Sequence, residues 1–380
     1  MSASPPGAIL ATMTILSALE SKSPRVKHLL IQGGHFHNVE LKSCISTSIC
    51  GLLHLHIFEC AEITLTWEAV SHLAALPSLH QAEIRVQGEI NMVSSLHSPF
   101  PALRYLTLCS NNITPAIEFV EHFIRSALLE SFQICVENEP SSVQLGQIFS
   151  LLLAHTSPEH LTFIKTYHPE YVSCDKVLSL LKASDFDPLF RFTNLEHLLI
   201  QTECSTGLFD DTTLEAMARA WPKLRDLCFI GHCGLGGNWP SKCTLRGILH
   251  LAKHCPHLSS LAIPFHASAM ISWNGRPGGG VVNEEFRELD VGQSPITNPR
   301  AVASFLSDVF PKLSTITAWE DINPDEPAEV ENRKRWQETI RLYHGFVAIR
   351  NEERTWAANM VTGELMMSHT ETRSLFKVQF

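Results

Sequence analysis

The stretch LRYLTLCSNNI, residues 103–113, constrains this chain more than any other. Apolar residues at Leu103, Leu106 and Leu108 are followed by Asn111 and Ile113, the spacing LxxLxLxxNxI. Apolar or small residues at i, i+3 and i+5 return at Val26, Leu29 and Ile31, at Leu52, Leu55 and Ile57, and at Leu79, Ala82 and Ile84. They continue at Leu129, Phe132 and Ile134, less regularly at Leu161, Ile164 and Thr166, and then at Leu195, Leu198 and Ile200. Leu224, Leu227 and Phe229, then Leu258, Leu261 and Ile263, then Phe286, Leu289 and Val291, and finally Leu313, Ile316 and Ala318 close the series. Units repeating at intervals of about 24 to 34 residues are too many to be accidental, and they imply one supersecondary piece stacked on itself.

The physics of one unit follows from the spacing. The second and third apolar residues are two apart on an extended chain, so both point into a core while the residues beside them point outward. After the strand the chain must turn, and its backbone polar groups need partners. Asn111 is placed to supply them from a buried amide, Cys60 in ECAEIT fills the same slot in the second unit, and His232, His266 or Ser294 stands there elsewhere. Helix starts lie between strands: Thr114 before Pro115, Asn298 before Pro299, a Thr212/Glu215 capping box, Thr244 and Thr66. LPSL, FPAL, WPKL, CPHL and FPKL each place a proline just ahead of a repeat's first leucine, where it ends the helix. The fold class expected is α/β, a leucine-rich-repeat solenoid of about eleven irregular repeats, with a curved parallel sheet on the concave side and helices on the convex side.

Domain limits follow the register: an N-terminal helical cap over 1–24, the solenoid over 25–319, an acidic linker over 320–331, and a C-terminal helical cap and tail over 332–380. The linker has six acidic residues, two prolines and no basic residue. Beyond it Trp336, Ile340, Tyr343 and Val347 share a helical face suited to covering the last repeat. Residues 270–282, MISWNGRPGGGVV, form a Gly-rich insertion in a connection.

A net charge of -10, from 39 acidic against 29 basic residues, argues against a nucleic-acid partner, which needs a basic stripe. Eleven cysteines without a CxxC pair suit reduced, buried thiols. The apolar run from Ala8 to Leu19 has no Lys or Arg before it and is expected to be a packed helix, and no apolar stretch approaches the ~20 residues that span a bilayer. A cytoplasmic or nuclear protein with no membrane partner is therefore expected.

Motifs that suggest chemistry have simpler explanations. GHCGLGG, residues 231–237, fits neither a dinucleotide fingerprint nor a phosphate loop and is expected to be a turn. Cys228, Cys233, Cys243, His254, Cys255 and His257 lack the paired spacing of a zinc site, and His232 beside Cys233 has no third orienting group. No catalytic residue, cofactor or metal is assigned, and the chain is expected not to be an enzyme.

Functional weight falls on the outward strand row. The template places His54, His56, Phe58, Arg85, Tyr105, Lys165, Tyr167, Asp226, Ile230, Glu288, Asp290 and Trp319 there, a mixture of aromatic, apolar and charged groups suited to a protein partner.

The long irregular repeats, the [FWC]-P-x-L starts, the ECAEIT turn, and WPKLRDL followed by CPHLSSL resemble the leucine-rich-repeat F-box proteins, particularly the fungal set, over roughly Val26 to Trp319. That resemblance implies substrate recognition for a cullin–RING ubiquitin ligase, in which an N-terminal F-box docks on the cullin-ligase adaptor. Here the first repeat begins by Val26 and the LP-x-E-[IL] opening is missing, so the adaptor is a partner only where an F-box lies upstream. The alternative is a free-standing leucine-rich-repeat scaffold or regulator with no ligase role.

Overall fold

A computed structural model describes residues 6–32, 39–88, 99–126, 128–168, 180–202, 205–230, 242–268, 275–320 and 322–374. Among them, eleven strands form one parallel sheet in chain order. They are β1 (His28–Leu30), β2 (Ile57–Thr64), β3 (Gln81–Arg85), β4 (Tyr105–Ser110), β5 (Ser131–Val136), β6 (Phe163–Tyr167), β7 (His197–Gln201), β8 (Asp226–Cys228), β9 (Ser260–Ala262), β10 (Glu288–Asp290) and β11 (Thr315–Thr317). Parallel neighbours need a crossover. Helices supply most of them: α2 (Val39–Cys50), α3 (Trp67–Ala75), α4 (Thr114–Phe123), α5 (Ser142–His155), a 3-10 helix (Ala183–Arg191), α6 (Asp211–Ala220), α7 (Leu245–His254) and α8 (Pro299–Val309). Helix α1 (Pro6–Lys22) precedes the first strand and α9 (Pro327–Ser374) follows the last. This is the leucine-rich-repeat solenoid that the spacing implied.

Strand register shows why the leucine spacing repeats. Leu29 pairs with Phe58, and the row continues through Ala82, Leu106, Phe132, Ile164 and Leu198. Leu227, Leu261, Leu289 and Ile316 complete it. Every member from Phe58 to Leu289 is buried, while Leu29 and Ile316 at the two ends are partly covered. The second unit departs from the expected reading. Its spine is Leu55, Phe58 and Cys60, all 0% exposed, three residues later than Leu52, Leu55 and Ile57. Both triplets fit the template in LLHLHIFEC, and pairing with β1 and β3 selects the later one. Phe58 is therefore a core residue, not an outward one, and Cys60 occupies the third spine position instead of the turn.

Three further expectations, at Asn111, Thr114 and Thr212, change in the folded chain. Asn111 is exposed and accepts hydrogen bonds from Arg85 Nη2 (2.6 Å) and Gln87 Nε2 (2.9 Å), so it does not fill a buried turn. Ser294 does fill one: its Oγ accepts from the Phe265 N–H (2.8 Å) and donates to the Val291 carbonyl (2.5 Å). Helix starts at Thr66, Thr244 and Asn298 are as expected, each side chain accepting a first-turn N–H. Asn112 instead takes the Thr114 N–H, leaving Thr114 inside α4. For α6 the cap is Asp210, whose carboxylate accepts the Thr213 N–H at 2.8 Å, and Thr212 donates to that same oxygen. The residues ahead of four of the spaced prolines, Leu76, Trp221, Cys255 and Phe310, are the C-caps of α3, α6, α7 and α8.

Both ends of the stack are covered by helices. Leu16 of α1 is buried and α1 packs on α2. At the far end α9 begins at Pro327, inside the stretch expected to be linker. Trp336 Nε1 donates to the Ser294 carbonyl (2.8 Å), and the Tyr343 hydroxyl donates to the carbonyls of Phe310 (2.8 Å) and Leu313 (3.1 Å). Trp319 adopts a left-handed backbone conformation, φ 53°, and its indole donates to the same Ser294 carbonyl at 2.9 Å. That turn swings the ring under the last repeat, 5% exposed, so Trp319 belongs to the cap and not to the outward row. The Gly-rich connection, described from residue 275, docks on fully buried Asp308 of α8 through Arg276 Nε (2.6 Å) and the Gly278 N–H (3.0 Å). A Cβ at Gly278 would lie 2.6 Å from Val309 Cγ2, so only glycine allows that approach. No described helix is long and apolar enough to cross a membrane.

Two outcomes follow for stability. Phe58→Ala is expected to cost about 3–5 kcal/mol in urea denaturation, as a buried phenylalanine does and an exposed one does not. Asp210→Ala is expected to cost about 1 kcal/mol and Thr212→Ala clearly less, because only Asp210 accepts the helix N–H.

Candidate functional site on the open sheet face

The ladder that buries the spine also fixes which residues face away from it. One outward row runs through His28, Ile57, Gln81, Tyr105, Ser131, Phe163, His197, Asp226, Ser260, Glu288 and Thr315. A second, two residues on, runs through Leu30, Glu59, Glu83, Thr107, Gln133, Lys165, Leu199, Cys228, Ala262, Asp290 and Thr317. In the longer strands a third row adds Arg85, Cys109, Cys135, Tyr167 and Gln201. With strands about 4.8 Å apart, the sheet is roughly 48 Å long; two outward residues span about 7 Å along a strand, and three, on β3 to β7, about 14 Å.

Most of the residues expected on this face are on it. Tyr105 (41% exposed), Asp226 and Glu288 lie in the first row, Lys165 and Asp290 in the second, and Arg85 and Tyr167 in the third. Ile230 stands two residues past β8, its Cδ1 3.3 Å from where a Cβ on Gly292 would be. His56 lies just ahead of β2 with its ring edge-on to His80 at 5.9 Å, and His54 is in the exposed loop before it. Phe58 and Trp319 are buried elsewhere, as described above. The slip in the second unit hid Ile57 and Glu59; Phe163 and His197 were legible from the same template position as Tyr105.

The polar groups are organised by contacts between repeats. Arg85 donates to Asn111, to the Ala61 carbonyl at 3.4 Å and to Glu137. It thus ties β2 to the loops after β4 and β5 and has little freedom to meet a partner. Tyr105 donates to Glu130 Oε2 (2.8 Å) while Arg104 holds Oε1 of the same carboxylate (2.6 Å). The Lys165 ammonium sits 4.3 Å over the Tyr167 ring.

Electrostatics differ along the face. Burial pushes the Glu83 and Asp290 carboxyls above their ordinary range, with Glu59 adding repulsion at Glu83. Asp226 is held below its range by the hydrogen bond from His197 Nδ1 (2.6 Å), helped by Ser259 Oγ (2.9 Å). Serine, aspartate and histidine here stand in the wrong order for nucleophilic catalysis. The carboxylate is in the middle, and the serine hydroxyl donates to it, whereas a nucleophile must donate to the imidazole. Cys109 and Cys135 face each other across β4 and β5, and the Cys109 hydrogen bond lowers the Cys135 thiol. Both are nearly buried, which shields them from a substrate. Every described cysteine is a free thiol. Residues 231–237, with His232 and Cys233, lie outside the described residues.

No family model matches the chain, and no curated protein matches it. Among solved structures, the crystal structure of the Rad7 and Elc1 complex in yeast is similar over 85% of this chain and 92% of that chain, at 14% sequence identity and a TM-score of 0.32.

Proposed function

We propose that this chain is a non-catalytic protein-binding solenoid that holds its partner on the open sheet face. The observation that carries the reading is the size and composition of that face. It offers on the order of 500 Å², more than half of the ~800 Å² that one partner contributes to a standard protein interface. Small molecules favour concave, enclosed sites, and this surface instead presents separated groups: Leu30 (47% exposed), Tyr105, Phe163 and Leu199 among Glu59, Lys165, Asp226 and Glu288. Tyr105 and Glu288 lie six strands apart, roughly 29 Å, a span that suits a polypeptide.

Substrate recognition for a cullin–RING ligase of the F-box type is the finer form of this proposal, supported by the repeat signatures in the sequence. A free-standing scaffold uses the same face and differs only in lacking an adaptor.

The test is affinity capture with the full chain, comparing wild type with a Tyr105→Ala/Leu199→Ser double variant and a convex-side control, Arg246→Ala. Proteins retained by wild type and control and weakened about tenfold or more by the double variant are the expected result. Equal retention by all three chains overturns the assignment to this face. Binding of a purified cullin adaptor to the product of the complete gene selects the ligase form, and its failure to bind selects the scaffold.

A further inference from the structure

Helices α6 and α7 lie side by side on the side of the solenoid opposite the open sheet face. His250 and His254 are four residues apart on α7, so they project from the same helical face. Their rings are nearly parallel, 7° between planes, with centroids 6.5 Å apart. Glu215 reaches across from α6 and places its Oε2 3.7 Å from His250 Nε2. One ligand atom from each of the three residues lies within 4.8 Å of the others. His254 Nε2 is buried and has no hydrogen-bond partner, an arrangement that leaves a lone pair or an N–H without compensation. Arg219 occupies only Oε1 of Glu215, through Nε (3.0 Å) and Nη2 (2.7 Å), which orients the carboxylate with Oε2 toward the imidazoles.

We propose that Glu215, His250 and His254 form a binding site for a divalent transition-metal ion between α6 and α7. Two imidazole nitrogens and one carboxylate oxygen suit zinc, nickel or copper better than the oxygen-seeking calcium or magnesium. Bonds of about 2.0–2.2 Å put neighbouring donors roughly 3–3.5 Å apart, so each half-buried side chain closes in by under about 1 Å. Three protein ligands leave further coordination positions open toward solvent. Because the ligands come from consecutive repeats, an ion there ties one repeat to the next, and its binding is linked to the stability of the stack. His254 was grouped in the sequence with the nearby cysteines. The fold removes it from them, since Cys243 and Cys255 are buried in the core, and pairs it with His250, legible as an H-x3-H spacing one turn earlier, and with Glu215 on the previous helix, which the linear spacing conceals.

The test is calorimetric titration of Ni²⁺ into the full chain under reducing conditions, with melting followed by circular dichroism. Wild type is expected to bind one ion saturably and to melt at a higher temperature with Ni²⁺ present. His250→Ala, His254→Ala and the near-isosteric Glu215→Gln are each expected to weaken that binding about tenfold or more. His257→Ala, which removes an exposed histidine paired with Glu285 outside the cluster, is expected to bind as wild type does. Absence of saturable binding to wild type, retention of full affinity by Glu215→Gln and His250→Ala together, or an equal loss in His257→Ala overturns the assignment.

Discussion

The buried row from Phe58 to Leu289 is covered by the helices behind the sheet and by the strands on either side of it. A single repeat has one apolar residue per spine position and no means of closing a core around it. Register between neighbours therefore does what a compact domain does by folding back on itself, and the eleven parallel strands share one hydrogen-bonded ladder because they share one row of covered side chains. The two end members, Leu29 and Ile316, are the partly covered ones, and helices are needed beyond both. At the C-terminal end the solution is polar as well as apolar: two indoles donate to the one Ser294 carbonyl, and Tyr343 takes two further carbonyls of the last turn. A buried carbonyl carries two lone pairs, so both donors can be accommodated without leaving an orphan.

Spine spacing, proline punctuation and most helix starts were legible in the linear sequence because they depend on residues close together in the chain. Where reading failed, the deciding contact came from another repeat. LLHLHIFEC contains two acceptable triplets, and only the partners on β1 and β3 choose between them. Trp319 follows the last spine residue like an outward side chain, but Ser294, on the preceding repeat, pulls its indole inward. Asn111 matches a buried-amide template, but its side-chain oxygen accepts from Arg85 and Gln87 of the preceding repeat instead. For α6 the error was smaller: Asp210 and Thr212 are both competent caps, and the backbone of Asp210 is the one in the extended conformation a cap requires.

The same dependence on neighbouring repeats governs the polar side chains of the sheet face. Arg104 with Glu130, Arg225 with Glu196, and His197 with Asp226 and Ser259 each link adjacent strands at one lateral position. Exposed pairs of this kind contribute roughly 0–1 kcal/mol each, so they do not hold the solenoid together. Their effect is on what the face presents. Charges already paired within the sheet must be re-paired or displaced by a partner, whereas Leu30, Phe163 and Leu199 lose only water on contact. The apolar members of the outward rows are consequently the better source of affinity, and the charged ones of orientation.

The two sides of the solenoid differ in the chemistry they permit. On the sheet face, neighbouring side chains at equal register are held apart by strand spacing and leave the surface in near-parallel directions, so groups line up without converging on a point. The Ser259–Asp226–His197 chain illustrates this: three suitable residue types in a row, with the hydrogen bonds running along the row. On the helical side, two residues one turn apart share a face, and the next helix brings a third at an angle to them. Convergence is possible there: Glu215, His250 and His254 bring one donor atom each within 4.8 Å of the others in one inter-helix seam. The two proposals divide accordingly, a broad surface on the strands and a focused cluster between the helices, because side chains on strands run abreast while those on packed helices meet.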